Sequence, residues 1–181
     1  MEVLEGHLTV DDLDGFVARL GTVSDEYDVS IQAFDARYIV DREHLQQAVE
    51  LADRAFERGE NVADDRAVEI LLYAAGRRQI NRALELGVDR GGCPAVIVVS
   101  EIRPTGASRQ SEQRGRVQDG DETAAVETLR SMPEYEPADT LGEYDEQRVR
   151  EWFDIGDAEL ATGADLSALV RERVALLVVE K

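Results

Sequence analysis

Glu69-Ile70-Leu71-Leu72-Tyr73-Ala74-Ala75-Gly76-Arg77-Arg78-Gln79-Ile80 is the longest apolar-rich helical run in the chain, and it changes character at its middle. At about 100° per residue, Ala67, Ile70, Leu71 and Ala74 share one face of a helix that begins near Asp64, whereas Leu72, Tyr73, Ile80, Ala83 and Leu84 fall almost opposite. A surface helix buries a single stripe. The stretch is therefore either broken at Gly76, with glycine as the left-handed closing residue, or a central helix covered on both sides. Both readings make Gly76 a junction, because a glycine inside an uninterrupted helix costs about 1 kcal/mol relative to alanine. Directly beyond it, Arg77, Arg78, Gln79, Asn81 and Arg82 place a cationic, hydrogen-bonding cluster on the element that anchors the core.

Upstream, Asp41 caps a helix with an apolar stripe of Leu45, Ala48, Val49, Ala52, Ala55 and Phe56, and Gly59 stops it. Val29 to Phe34 alternates as a strand with one buried face. Glu2 to His7 reads as an edge strand, followed by a helix from the cap Thr9 to Gly21 carrying Val10, Leu13, Phe16, Val17 and Leu20. Downstream of Gly87, Pro94 to Ser100 reads as a buried strand. Residues 103–120 form a polar stretch without apolar periodicity, expected to be a surface insertion. Further helices are expected after Asp121, from Asp145 to Gly156 with Trp152 and Phe153 in the core, and after Asp157 and Asp165. The apolar run Val174 to Val179 reads as a closing central strand. This order gives a mixed α/β (α+β) fold: a small central sheet packed with several helices in a single domain over residues 1–181.

The chain has 39 acidic and 20 basic residues, a net charge of −19, and its 20 basic residues are 19 arginines and one lysine, Lys181. A surface this acidic and lysine-poor fits a protein adapted to a very salty cytosol and excludes a generic nucleic-acid binder. At 1 M salt the Debye length is about 3 Å, so an RNA contact would rest on stacking and short hydrogen bonds. No apolar run approaches the roughly 20 residues of a membrane helix, no secretory signal is evident, and the single cysteine, Cys93, fits a reducing interior; a cytoplasmic location is expected.

Candidate chemistry is sparse. His7 and His44 stand far apart with no Cys or carboxylate at metal spacing, and His44, in the first turn of its helix, reads as a packing or partly exposed residue. Cys93, just before a buried strand, reads as a small core residue. Walker, dinucleotide, nucleophile-elbow and calcium-loop motifs are missing. The acidic pairs Asp119 with Asp121 and Glu134 with Glu136 read as solvated surface. The residues point to no catalytic group, no cofactor and no metal.

The central stretch, followed by Ala83 and Gly87, resembles the signature of the small kinase-binding subunit of the KEOPS complex, the PRPK-binding protein family. Gln32-Ala33-Phe34-Asp35-Ala36, His44-Leu45 with Ala48, and Glu172-Arg173-Val174-Ala175-Leu176-Leu177 are similar to other segments of that family. The resemblance covers roughly residues 29 to 100 and 145 to 181, and the 103–120 stretch departs from it. It implies a non-catalytic subunit that binds and supports a small atypical kinase/ATPase and holds the single-stranded CCA end of tRNA during threonylcarbamoyladenosine modification. For such an RNA end the residue chemistry points to Arg77, Arg78, Gln79 and Arg82, whose side chains can stack, hydrogen-bond and meet phosphate, with Gly76 admitting a nucleotide near the main chain. A helix starting at Arg77 would add free N–H groups for a phosphate. The residues alone also fit surface ion pairs with Asp65, Glu69 or Glu85. Two further readings stay open: a stand-alone α/β small-molecule-binding domain or enzyme with a pocket near Gln79 or Gly91, and an adaptor that binds only protein. The kinase-docking face is not identified.

Overall fold

The computed structural model describes residues 1–102 and 121–178; the 103–120 stretch lies outside the described residues. A four-stranded antiparallel sheet has the order β2-β3-β1-β4, formed by β1 (Glu2–Val10), β2 (Val29–Asp35), β3 (Gly91–Glu101) and β4 (Tyr135–Pro137). β3 is its axis: Glu2 to Val10 of β1 run opposite Val99 to Gly91, and Val29 to Asp35 of β2 run opposite Glu101 to Ala95. β1 is thus an interior strand and not the expected edge. The true edge on that side is β4, whose three residues pair with Gly6–Leu8 and end at Pro137, a residue that an edge strand tolerates because it has no ladder N–H to give. Gly6 is required here because the Tyr135 ring lies across it, where a Cβ would come within 2.4 Å.

Helices cover both faces of the sheet, which explains why β3 reads as an unbroken apolar run. Ala95, Ile97 and Val99 face α1 (Leu13–Tyr27) and α5 (Glu122–Arg130), packing with Phe16, Leu20, Val23, Ala125 and Leu129. Val96 and Val98 face the opposite way, into a larger core built from α2 (Arg42–Arg58), α3 (Arg66–Ala75), α6 (Glu146–Phe153) and α8 (Leu166–Leu176). Two short helices, α4 (Ile80–Ala83) and α7 (Asp157–Leu160), link these elements.

Local signals set most helix ends. Asp41 Oδ1 accepts from His44 N at 2.7 Å to start α2, and Gly59 closes it at φ +65°. Asp121 and Asp145 cap α5 and α6 in the same way. α1, however, starts after Asp12 and runs through Gly21 to a left-handed Asp28. α6 ends at a left-handed Asp154 two residues before Gly156, and Gly156, not Asp157, precedes α7.

The largest correction concerns the end of the chain. The run expected to close the sheet as a strand is helix and turn from Val174 to Val178, and Val179 lies outside the described residues. α8 extends to Leu176, and Leu166, Leu169, Val170, Val174 and Leu177 line its buried side. Those spacings of three and four are helical. The run looks like a strand because this stripe ends beside Leu176 and Val178, which are apolar but not buried.

Candidate functional site

The site begins with α3. Asp65 accepts from Val68 N at 3.1 Å at its first turn, and Glu69, only 2% exposed, accepts from Val62 N and Ala63 N at 3.0 and 2.8 Å. Glu69 thereby folds the preceding loop onto the helix and is not a partner for the arginines beyond Gly76. Every residue from Glu69 to Ala75 is buried. The two sequence readings therefore combine: α3 is covered on all sides and also broken at Gly76, which adopts φ +58°.

A helix end leaves four carbonyls without intrahelical partners, and here each is taken. Arg77 N donates to Leu72 O at 3.1 Å and Gly76 N to Tyr73 O at 2.9 Å. His44 Nε2 donates to Ala74 O at 2.8 Å, and Trp152 Nε1 donates to Ala75 O at 2.9 Å. Because His44 faces a carbonyl, its Nε2 carries the proton, which leaves buried Nδ1 as a bare acceptor without a hydrogen-bond partner. Burial holds the His44 pKa below the usual imidazole value. His44 is thus a packing residue through which α2 meets the end of α3, with the Phe153 ring edge-on at 5.7 Å.

Arg77 and Arg78 are drawn into the same closure. The Arg77 guanidinium lies 5.4 Å over the Trp152 ring and donates to Trp152 O at 2.5 Å. Arg78 Nη2 donates to Leu177 O at 3.2 Å, while its buried Nε has no hydrogen-bond partner. The Phe153 ring and Arg173 O lie 3.5 and 3.8 Å from where a Gly76 Cβ would sit, ordinary contact distances, so the positive φ and not space is what calls for glycine. The helix beyond the junction starts at Ile80 and not at Arg77, whose N–H is already used.

The remaining residues face outward. Gln79, Asn81 and Arg82 are exposed, and Arg82 pairs with Glu85 at 2.9 Å. Ile80 and Leu84, expected to share a buried face, are 41% and 54% exposed; only Ala83 and Leu86 of this segment turn inward.

A protein-family model described as kinase binding protein CGI-121 matches residues 11–177. The chain belongs to this family. No curated protein matches it. The CGI-121 match takes in both halves of the closure, from His44 through the junction to Trp152 and α8. Among the described residues of this CGI-121 chain, no group of three or more His, Cys, Asp or Glu is placed to hold a metal ion, and no helix is long and apolar enough to cross a membrane. Burial pushes the Cys93 thiol up, away from the reactive thiolate. The structure brings Gly76, Arg77 and Arg78 together under α6 and α8 and leaves Gln79 and Arg82 on the surface. The sequence places Trp152 in the core but gives no sign that it clasps Ala75 and Arg77, since no local periodicity reports a contact across 77 residues.

Proposed function

We propose that this chain is the non-catalytic, kinase-binding subunit of a KEOPS complex in a salt-adapted cytoplasm. In this reading it docks and supports the small atypical kinase/ATPase subunit, and its segment 76–82 holds the single-stranded CCA end of tRNA during threonylcarbamoyladenosine modification. The CGI-121 match over residues 11–177 carries the kinase half. What supports the RNA half is a short exposed segment on a rigid base: Gln79, Asn81 and Arg82 offer donors and acceptors beside the apolar Ile80, a combination suited to base edges and base faces. Arg77 and Arg78 keep further N–H groups beyond those used within the protein, since a guanidinium carries five.

The test is binding, in molar potassium chloride, to a tRNA with an intact CCA end and to the same tRNA lacking it. Removal of the end should weaken binding tenfold or more. Gln79→Ala and Arg82→Ala, both at exposed positions, should weaken binding of the intact tRNA only. Arg78→Ala is a less clean probe because it also frees Leu177 O. Equal binding of both tRNAs would sink the RNA half and leave the kinase half standing.

A further inference from the structure

A cleft of about 940 Å³ opens along the outer side of β2, between α1 and the α2–α3 pair. Its apolar lining includes the buried Phe16, Leu20 and Leu71 at the base and the exposed Val17, Leu84 and Ile102. Val17, Leu84 and Ile102 are 55, 54 and 44% exposed, and they are three of the six exposed large apolar side chains among the described residues. Apolar side chains gathered in one place, instead of scattered singly, mark an association site.

The polar lining is one-sided. Asp25, Asp53, Glu57, Asp64, Asp65, Glu85 and Asp89 contribute seven carboxylates, against the single cation Arg66. That ratio exceeds the 39 to 20 of the whole chain; Asp53 is paired with Arg66 at 2.6 Å and Glu85 with Arg82 at 2.9 Å, which leaves Asp25, Glu57, Asp64, Asp65 and Asp89 as the acidic rim. An acidic rim around an apolar floor repels a phosphate backbone and suits a protein segment with apolar anchors and Lys or Arg flanks. Ser30, Ile31 and Ala33 of the edge strand are only 4, 5 and 3% exposed, so little of that strand is accessible for pairing with another. The contact is therefore made through side chains, as by an amphipathic helix laid in a groove.

We infer that this cleft is the docking surface for an amphipathic, basic-flanked segment of the kinase partner, an assignment that rests on the kinase-binding reading above. Val17 and Leu84 are its apolar anchors, and Asp25 and Asp89 its salt-sensitive rim. At molar salt the rim acts only at contact range, so the anchors dominate the affinity.

The test titrates the full-length chain with the atypical kinase subunit of the same genome in molar potassium chloride. Val17→Glu and Leu84→Glu, at exposed positions that leave thermal unfolding unchanged, should each weaken binding tenfold or more. Leu176→Glu, on α8, should leave it within twofold. Asp25→Arg with Asp89→Arg should give a smaller loss that deepens as salt is lowered. A wild type that does not bind the kinase would overturn the kinase reading and this inference together. If the wild type binds and both cleft variants bind equally well, only the cleft is overturned. Variants that keep the kinase but lose CCA-ended tRNA would assign the cleft to RNA. A wild-type dimer that the variants convert to monomer, with kinase affinity intact, would assign it to a second copy of this chain. Either result overturns the inference.

Discussion

On one face of the sheet, α2, α3, α6 and α8 bury His44, Glu69 and Trp152 with hydrogen bonds to backbone groups, whereas on the other α1 and α5 bury only apolar side chains and leave Val17 more than half exposed. Directional bonds fix the first face to one arrangement, because each partner lost leaves a buried polar atom unpaired. The second face keeps its directional bonds at its margin, where Tyr27 OH meets Thr128 Oγ1 at 2.9 Å and Asp121 N donates to Tyr27 O, so its buried centre rests on apolar area, which tolerates shape-conserving changes and leaves surface for a partner. Conservative substitutions should therefore separate the faces more clearly than drastic ones.

Trp152→Ala should give the largest effect, a loss of about 3–5 kcal/mol for a buried aromatic, measured by denaturant unfolding in high salt. The sharper comparison pairs Trp152→Phe with Phe16→Leu. The first keeps most of the packing but strips Ala75 O of its donor, for a loss of about 2 kcal/mol. The second keeps an apolar side chain in an apolar core and should cost under about 1.5 kcal/mol. Equal losses would mean that the hydrogen bond adds nothing to the first face. Glu69→Ala follows at about 2–3 kcal/mol, since Val62 N and Ala63 N would both lose their acceptor.

Gly76→Ala tests whether the junction is tight or merely left-handed. With the nearest atoms at 3.5 Å or beyond, only the positive φ opposes a methyl group, and the loss should be about 1–2 kcal/mol. A loss well above that range would mean that α6 and α8 press on the junction more closely than the 3.5 Å separation allows.

Much of this architecture is readable from local signals. Asp41, Gly59 and the stripe between them delimit α2 because capping and αL closure are properties of single residues. The swap of apolar sides across Gly76 marks the true break in the central stretch. What escapes a local reading are features fixed by distant neighbours. Val174 to Val178 gives no local reason to be helix over strand until α2 and α3 are there to receive its stripe. β1 is interior only because β4, a three-residue strand inside an acidic, proline-bearing segment, pairs with it. At the candidate site the arginine cluster is visible in the sequence, but its division into Arg77 and Arg78 under α6 and α8, and Gln79 and Arg82 outside, depends on Trp152 and Leu177 far along the chain.

His44 gives the first face a pH dependence below neutrality. Its folded pKa lies below the usual value because burial disfavours the cation. The unfolded chain therefore takes up a proton first. Stability is full above about pH 6.5 and falls as pH drops below it, with a slope of up to about 1.4 kcal/mol per pH unit. Unfolding measured from about pH 7.5 to 5.5, above most carboxylate titration, should show this slope in the wild type. His44→Gln, whose amide can still donate to Ala74 O, should flatten it. A slope that survives the substitution would place the titrating group elsewhere.

The smallest expected effect on folding lies on the second face. Val17→Ser removes apolar surface that is already 55% exposed, so the stability should change by under about 0.5 kcal/mol. If α1 were positioned by Val17 as α3 is positioned by Trp152, the same change would cost several times more, and an exposed valine could not serve as a free anchor. Near-neutrality in stability, together with a tenfold loss of kinase affinity for Val17→Glu, would mean that burial of this side chain is completed by association and not by folding. The two faces would then divide the labour, one holding the chain's shape through matched polar atoms and the other offering unfinished apolar surface to a partner.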